Sequence, residues 1–346
     1  MITRYGASRD ELQNLLLNEP RYRVDQVWKG LYTELNAPED MTALPKALRA
    51  QLVDLLPNSL TLVEEVISDD DTTIKFLWQL DGGSRIETVL MIYPDRATVC
   101  VSTQAGCAMA CGFCATGQAG FTRHLTAGEI IEQVVRASQR AKGMDRRVSN
   151  VVYMGMGEPL ANEEPVWESI VRLHEDVGLS ARHLTVSTVG IVPGINRLAS
   201  RPLPVNLAVS LHAANDNLRD ALVPINRRYP IKALMEACNG FLESKNRRLT
   251  FEWALIDGVN DRPSDAIELA QICRSFRVPA HVNLIPLNPT PGYEVRGSSR
   301  NQVQAFCDQL VGMGANATIR RNRGTDIAAA CGQLAAGQPV QISRSK

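Results

Sequence analysis

Several things are missing from this sequence, and each absence removes a class of function. No stretch carries the roughly 20 consecutive apolar residues that a membrane-spanning helix requires. The opening residues, Met1-Ile-Thr-Arg-Tyr-Gly-Ala-Ser-Arg-Asp-Glu11, meet charge at once and hold no apolar signal-peptide core. Charge of one sign is not in excess: 37 Lys and Arg balance 37 Asp and Glu, for a net charge of +0. Taken alone, that balance argues against a nucleic-acid partner. Low-complexity tracts, internal repeats and long linkers are also absent. The expectation is a cytoplasmic protein with no membrane contact, in a compartment where disulfides are rarely structural. The 8 cysteines therefore read as metal-binding, catalytic or packing residues.

With 346 residues, 45% of them hydrophobic, the chain can build one large domain and a smaller one. Its basic residues are bunched despite the neutral total. Arg140, Lys142, Arg146 and Arg147 make one group, and Arg227, Arg228 and Lys232 a second. Lys245, Arg247 and Arg248 make a third, and Arg320, Arg321 and Arg323 a fourth. Such groups can build a phosphate-facing patch, although for any single one a solvated helix end or loop is the more ordinary account.

Residues 1–57 read as a helical accessory domain. Ser8-Arg-Asp-Glu11 is a capping box, Tyr22 to Tyr32 has apolar residues near helical spacing, and Pro45 opens a segment with Leu48, Leu52 and Leu55 on one face. Residues 58–96 read as a β-hairpin extension, with strands at 72–80 and 85–93 around the turn Asp81-Gly82-Gly83-Ser84. A third strand at 97–103 leads into a cysteine-rich loop. Beyond it Thr126-Ala-Gly-Glu129 caps an amphipathic helix. Strand candidates then follow at 149–155, 184–190, 205–211, 249–256, 281–286 and 317–320, with helical patterns such as 266–276 and 300–313 between them. Strand–helix alternation implies an α/β fold with a parallel sheet, either an open sheet or a partial (β/α) barrel, over 97–335. Residues 336–346 read as a tail.

The organising stretch is Gly106-Cys107-Ala-Met-Ala-Cys111-Gly-Phe113-Cys114, spaced C-x3-C-x2-C. Thiolates gathered this tightly suit a thiophilic metal centre. A structural zinc site wants four closed ligands, usually as two distant pairs, and no second C-x2-C occurs. An iron–sulfur cubane takes four cysteines, so three leave one iron open to a small molecule. Zinc or a disulfide knot is the competing account. The cysteines Cys238, Cys273 and Cys307 fall in helical patterns and read as packing residues.

This spacing is that of radical S-adenosylmethionine (SAM) enzymes. The longer text from Cys100-Val-Ser-Thr-Gln-Ala-Gly-Cys107 through Cys114-Ala-Thr-Gly, with Arg323-Gly-Thr-Asp-Ile-Ala-Ala-Ala-Cys331-Gly-Gln-Leu, resembles the RlmN/Cfr family of RNA adenine methyltransferases, on its RlmN side. The resemblance runs from about residue 8 to about residue 335. It implies a partial radical-SAM barrel whose working residues sit at the C-terminal strand ends. It also implies one 4Fe-4S cluster on Cys107, Cys111 and Cys114, with two SAM molecules used per turnover. Gly157 and Glu158, in Gly155-Met-Gly-Glu-Pro159, match the segment that grips the SAM amino group. Ser187, Ser210, Leu211, His212 and Asn288 match contacts to its carboxylate, ribose or adenine, with His212 the weakest match. Read without the family, lone polar residues at strand ends are caps and turn formers.

The resemblance further implies that one SAM methylates Cys331. A second is cleaved to a radical that takes hydrogen from the S-methyl group, and the resulting methylene radical joins the adenine. Cys100 then releases the adduct through a transient disulfide with Cys331, and Glu87 removes the ring proton. Unaided, Cys331 reads as a small buried hydrophobe, Cys100 as an inward strand residue and Glu87 as a surface carboxylate. Adenine C2 and C8 are not nucleophilic, so simple displacement on SAM lacks an attacking lone pair. The substrates implied are an adenosine of 23S rRNA, met before full ribosome assembly, and an adenosine beside the anticodon of tRNAs, modified at C2. The implied partners also include an electron donor such as flavodoxin, and a monomer is expected. Methylation at C8, a methylthiolating radical-SAM reaction and a zinc-stabilised RNA-binding protein are the alternatives.

Overall fold

Parallel strands need crossover connections, and the strand–helix rhythm after residue 97 supplies them. The computed structural model describes residues 2–278, 280–288 and 296–336. Its strands are β1 (Leu60–Ile67), β2 (Thr73–Leu80), β3 (Arg85–Ile92), β4 (Ala97–Cys100), β5 (Gln104–Gly106), β6 (Phe121–His124), β7 (Val148–Tyr153), β8 (Leu184–Thr188), β9 (Asn206–Ser210), β10 (Leu249–Leu255), β11 (His281–Pro286) and β12 (Asn316–Ile319). A ten-stranded sheet runs in the order β1-β2-β3-β4-β7-β8-β9-β10-β11-β12. Pairing is antiparallel from β1 to β4 and parallel from β4 to β12. Among the described residues no pairing joins β12 back to β4, so the parallel part is a barrel left open at one side. Helices bridge consecutive parallel strands, among them Ala127–Lys142, Glu163–Glu175, Val192–Ser200, Ile231–Lys245, Pro263–Arg274 and Arg300–Gly312. The parallel strands expected from periodicity are all present, with ends shifted by a few residues.

Three features differ from the sequence reading. The strand expected at 97–103 ends at Cys100, because residues 104–106 leave the sheet to pair with β6 in a separate two-stranded ribbon. That ribbon holds both ends of the cysteine loop. The extension at 58–96 has three strands instead of a hairpin, since β1 adds along the edge of β2. A bulge between Leu62 and Glu64 breaks the alternation of β1, and most of the strand is exposed, so its apolar residues do not mark one face. The tail at 336–346 lies outside the described residues apart from Ala336.

Buried polar groups tie these layers together. Thr126 Oγ1 accepts from the Glu129 amide at 3.2 Å, and Glu129 Oε2 accepts from the Thr126 amide at 2.9 Å, so the expected capping box opens helix 127–142. On that helix Gln133 Oε1 accepts from Thr88 Oγ1 (2.8 Å) and the Ser102 amide (2.9 Å), while Gln133 Nε2 donates to the Ser102 carbonyl (3.0 Å). One buried amide thereby sets β3 against the segment that leaves β4. Glu132 accepts from the Ser59 amide at 2.7 Å, fixing the entry to β1. Helices Arg9–Leu15, Tyr22–Tyr32 and Lys46–Leu55 share the barrel's core in one continuous apolar cluster. Arg172 reaches across this contact to the carbonyls of Tyr5 (2.8 Å) and Ala7 (3.0 Å).

Thr126→Ala removes the side-chain half of the capping box and is expected to cost about 1 kcal/mol. Its urea midpoint should fall accordingly; an unchanged midpoint means that tertiary contacts alone hold the helix start.

Candidate active site

The C-terminal ends of the parallel strands open on one cavity, with about 1010 Å³ of empty space, open solvent included. Cys107, Cys111 and Cys114 form one wall. Gly157 and Glu158, just beyond β7, form another, with Ser187 on β8 and Ser210 on β9. His212 and Asn288 complete the ring, and Cys331 closes it. Of the residues expected to meet SAM, only Leu211 is not on this wall. Its side chain is fully buried in the core, and its carbonyl accepts from Arg219 Nε at 3.1 Å.

The cysteine loop is closed tightly. Gly106 has φ +76, and a Cβ there would fall 1.9 Å from the Gly120 carbonyl oxygen, so only glycine fits. The Cys107 amide donates to that same carbonyl at 2.8 Å. Burial pushes the Cys107 thiol up to about 12 against a hydrogen bond from the Met109 backbone, and Cys114 and Glu158 add to the rise. Cys111 is pushed well above its ordinary value by burial, then by Cys114 and Cys107. The disfavoured ionisation of Cys107 and Cys111 is what a bound cation relieves, because ligation takes the thiolate form. Among the described residues no three His, Cys, Asp or Glu side chains converge as ligands of a single ion. A cubane asks for less, since each iron takes one thiolate, and the donor set fits that group better than zinc.

The strand ends opposite are organised by buried charges. Glu158 accepts from the Leu160 amide (3.0 Å) through Oε1 and from the Val189 amide (2.8 Å) through Oε2. Desolvation nevertheless raises its carboxyl to about 7. Gly157 before it has φ +103, and a Cβ would press on Gln104 at 2.6 Å; Gln104 Oε1 in turn accepts from the Glu158 amide at 2.8 Å. His212 is held near 3 by burial and by Arg219, so its ring is neutral. Its Nδ1 accepts from the Ala254 amide at 3.0 Å, which puts the proton on Nε2. Phe113 of the cysteine loop packs edge-on against this ring at 4.7 Å. Arg219, fully buried, donates to the carbonyls of Val189 (2.6 Å) and Ser210 (3.2 Å), pinning the ends of β8 and β9.

A second cavity adjoins the first and shares Cys114, Thr116 and Cys331 with it. Cys100 lies on its wall, so the two cysteines expected to act together face one space. Burial, then Cys331, pushes the Cys100 thiol up to about 12; the Met154 backbone and Arg320 pull against this. Cys331 is open to the solvent of the cleft, yet protein rises around it. Desolvation therefore raises its thiol too, against the pull of Arg320, with Glu252 and Cys114 adding. All eight cysteines are free thiols, and Cys238, Cys273 and Cys307 are buried away from both cavities, as packing residues. Asn288 Nδ2 donates to the Cys331 carbonyl at 3.3 Å. The rim is basic: Arg96, Arg320, Arg321 and Arg323 line it. Arg96 and Arg323 stack on Tyr93 with 4.5 and 4.3 Å to the ring centre. Of the four basic groups in the sequence, only 320–323 reaches the site.

Glu87 is brought near but lines neither cavity. Its Oε1 pairs with Lys75 Nζ at 3.1 Å, and its Oε2 accepts from the Ala335 (2.9 Å) and Ala336 (3.1 Å) amides. Glu252, on the wall of the first cavity, escaped the sequence reading. Its carboxyl is raised by burial and its Oε1 accepts from Asn283 Nδ2 at 2.8 Å. A signal existed: Leu249-Thr-Phe-Glu-Trp-Ala-Leu255 carries a lone carboxylate inside a strand buried on both faces.

Comparison with known proteins agrees with this geometry. The model of the radical SAM superfamily matches residues 101–270. The probable dual-specificity RNA methyltransferase RlmN of Chloroflexus aurantiacus is 48% identical over 353 residues, covering 98% of this chain and 94% of that protein. The protein of the same description from Frankia casuarinae is 51% identical, covering 95% of this chain and 81% of its own length. The crystal structure of a radical SAM methyltransferase from Sphaerobacter thermophilus superposes with a TM-score of 0.93 at 50% identity, covering 97% of this chain and 100% of that one. With the three-thiol wall, the strand-end ring, and Cys100 and Cys331 facing one cavity, this chain belongs to the RlmN family of radical SAM RNA methyltransferases.

Proposed function

We propose that this protein methylates C2 of an adenosine in 23S rRNA and of an adenosine beside the anticodon in tRNAs, in the cytoplasm, through a methyl group carried on Cys331. The observation that supports this best is the shared wall of the two cavities. Cys331 stands in it, between a chamber built for a cofactor and a basic, aromatic-edged chamber suited to a nucleotide. No helix among the described residues is long and apolar enough to cross a membrane.

Cys107, Cys111 and Cys114 would hold one 4Fe-4S cluster, and Glu158, Ser187, Ser210, His212 and Asn288 would surround SAM at the open iron. When bound, and reduced by an outside donor such as flavodoxin, that cluster would supply one-electron chemistry able to activate an otherwise unreactive methyl group. The chain's own residues do the rest. Glu158 accepts the SAM ammonium in a desolvated wall where one negative charge counts for more than in water. His212 offers an Nε2 proton as a fixed donor. Cys331 receives a methyl group from one SAM, and the carbon bonds to adenine C2 after the second SAM is spent. Glu87 accepts the ring proton as the adduct gives up its unpaired electron to the one-electron acceptor left by the cleavage of SAM. Cys100 then attacks the sulfur of Cys331: an S–S bond forms as the S–C bond to the base breaks. The carbon leaves with the electron pair and takes up a proton to become a methyl group. Arg96, Arg320, Arg321 and Arg323 face the phosphates of the RNA. The family resemblance favours C2 over C8.

Digestion of rRNA and tRNA from a complemented knockout, read by mass spectrometry, tests the product. The expected nucleoside is 2-methyladenosine in both RNAs; 8-methyladenosine overturns the C2 assignment. Cys331→Ala should abolish methyl transfer to protein and RNA alike. Cys100→Ala should stall with protein joined to RNA, seen as a shifted band on a denaturing gel, and normal turnover by this variant removes Cys100 from the mechanism. For Glu158 the sign is set by its raised carboxyl: a bound ammonium favours the ionised form, so affinity is full above about pH 7 and falls as pH drops through it, approaching tenfold per unit. Equilibrium binding of SAM to the holoenzyme should show this acid limb, and Glu158→Gln should flatten it.

A further inference from the structure

The loop that carries Cys331 is gripped on both limbs by an ion pair, one member of which, Lys75, has no part in the chemistry proposed above. Lys75 on β2 and Glu87 on β3 are diagonal neighbours on one face of the sheet, because Leu77 is the direct partner of Glu87 and Lys75 that of Val89. Their side chains are 14% and 5% exposed, and Nζ to Oε1 is 3.1 Å. Lys75 Nζ also donates to the carbonyl of Ala328, before Cys331, at 3.3 Å. Glu87 Oε2 accepts the amides of Ala335 and Ala336, after Cys331, at 2.9 and 3.1 Å. Between these two anchors the loop turns through Ala328 with φ 50 and Gly332 with φ 84, both left-handed. Neither Lys75 nor Glu87 lines the two cavities.

We infer that Lys75 is a positioning residue for the reaction, and that the Lys75–Glu87 pair is a clasp that holds Cys331 in the wall between the cavities. The inference deepens the proposed function and rests on it in one respect, the methyl-carrying role of Cys331. Both carboxylate oxygens of Glu87 are engaged while the loop is closed: one by an ammonium, the other by two backbone amides. Oε2 can take a ring proton only once the Ala335 and Ala336 amides let go. Release of the loop and availability of that oxygen are thus the same event, and Lys75 sets its cost. Without Lys75 the buried carboxylate keeps its two amides but loses its counter-charge, and the first limb loses its anchor at Ala328.

The test is hydrogen exchange on the full-length protein, followed by mass spectrometry of peptides spanning 324–336. Lys75→Met keeps the length of the side chain and removes the charge. It should speed exchange in this segment about tenfold, while peptides from β7 to β10 stay as they are. Lys75→Arg should restore protection. In the loaded enzyme Lys75→Met should lower kcat for RNA methylation about tenfold with KM for RNA held, and Lys75→Arg should recover it. Should Lys75→Met fail to fold, Glu87→Gln carries the exchange measurement instead, since it drops the same charge pairing. Unchanged exchange at 324–336 in the folded variant overturns the clasp. So does a loss of protection that spreads evenly over the barrel. The proposed function fails separately, if the wild-type Cys331 never carries a methyl group; the exchange result does not depend on that.

Discussion

Two hydrogen bonds across the barrel mouth are what the rest of this site depends on. The amide of Ala115 donates to the Gly332 carbonyl at 2.8 Å, and Thr116 Oγ1 donates to the Leu334 carbonyl at 2.6 Å. The short helix Ala115–Gln118 starts directly after Cys114, so its first amide has no partner within the helix. A loop more than two hundred residues later in the chain supplies one. The consequence is geometric: Cys331 is set beside Cys114 in a wall common to both cavities. Chemistry that passes a hydrogen atom and then a carbon between neighbours works only over contact distances, so this closure is a condition for any transfer through Cys331.

Electrostatics follow from the same crowding. The chain is neutral as a whole, but the mouth of the barrel concentrates acids and thiols whose ionisation burial disfavours: Cys107, Cys111, Glu158 and Glu252. Against them stand Arg219 beneath the strand ends and Arg320 on the wall of the second cavity. A low-dielectric wall of this kind is strained while empty of cations and relaxed by them, which suits a thiolate-ligated metal and a sulfonium that also bears an ammonium. Arg219 has a second task, since by holding the carbonyls of Val189, Ser210 and Leu211 it sets where β8 and β9 stop. The ring of residues around the first cavity depends on where those strands stop.

Much of the fold was legible because it is locally encoded. The capping boxes at Ser8 and Thr126, the β-branched strand cores and the apolar faces of the crossover helices are patterns within a few residues, and each formed as expected. The edge strand β1 was not legible, since a bulge and exposure on both faces erase its alternation. Nor was the β5–β6 ribbon, three and four residues long, whose only purpose is to close the cysteine loop. Within the site, Cys107, Cys111 and Cys114 announce themselves by spacing. Glu158, Ser187, Ser210 and Asn288 stand out as polar residues at the ends of β7, β8, β9 and β11. The side chain of Leu211, between Ser210 and His212, is buried in the core. Glu252 was passed over although its charge is out of place in an apolar strand.

The sequence by itself determined the class of chemistry. Three soft donors in one short loop select a thiophilic centre whatever surrounds them, and alternation of strand and helix admits few folds. Only the tertiary structure decided which residues come together. Cys100 and Cys331, Lys75 and Ala328, and Glu87 and Ala335 are far apart along the chain, and each is brought to the other because β2, β3, β4 and the loop after β12 converge on the open side of the barrel. Contacts of that range leave no periodicity in the sequence, because the chain between them can have any pattern that closes the distance.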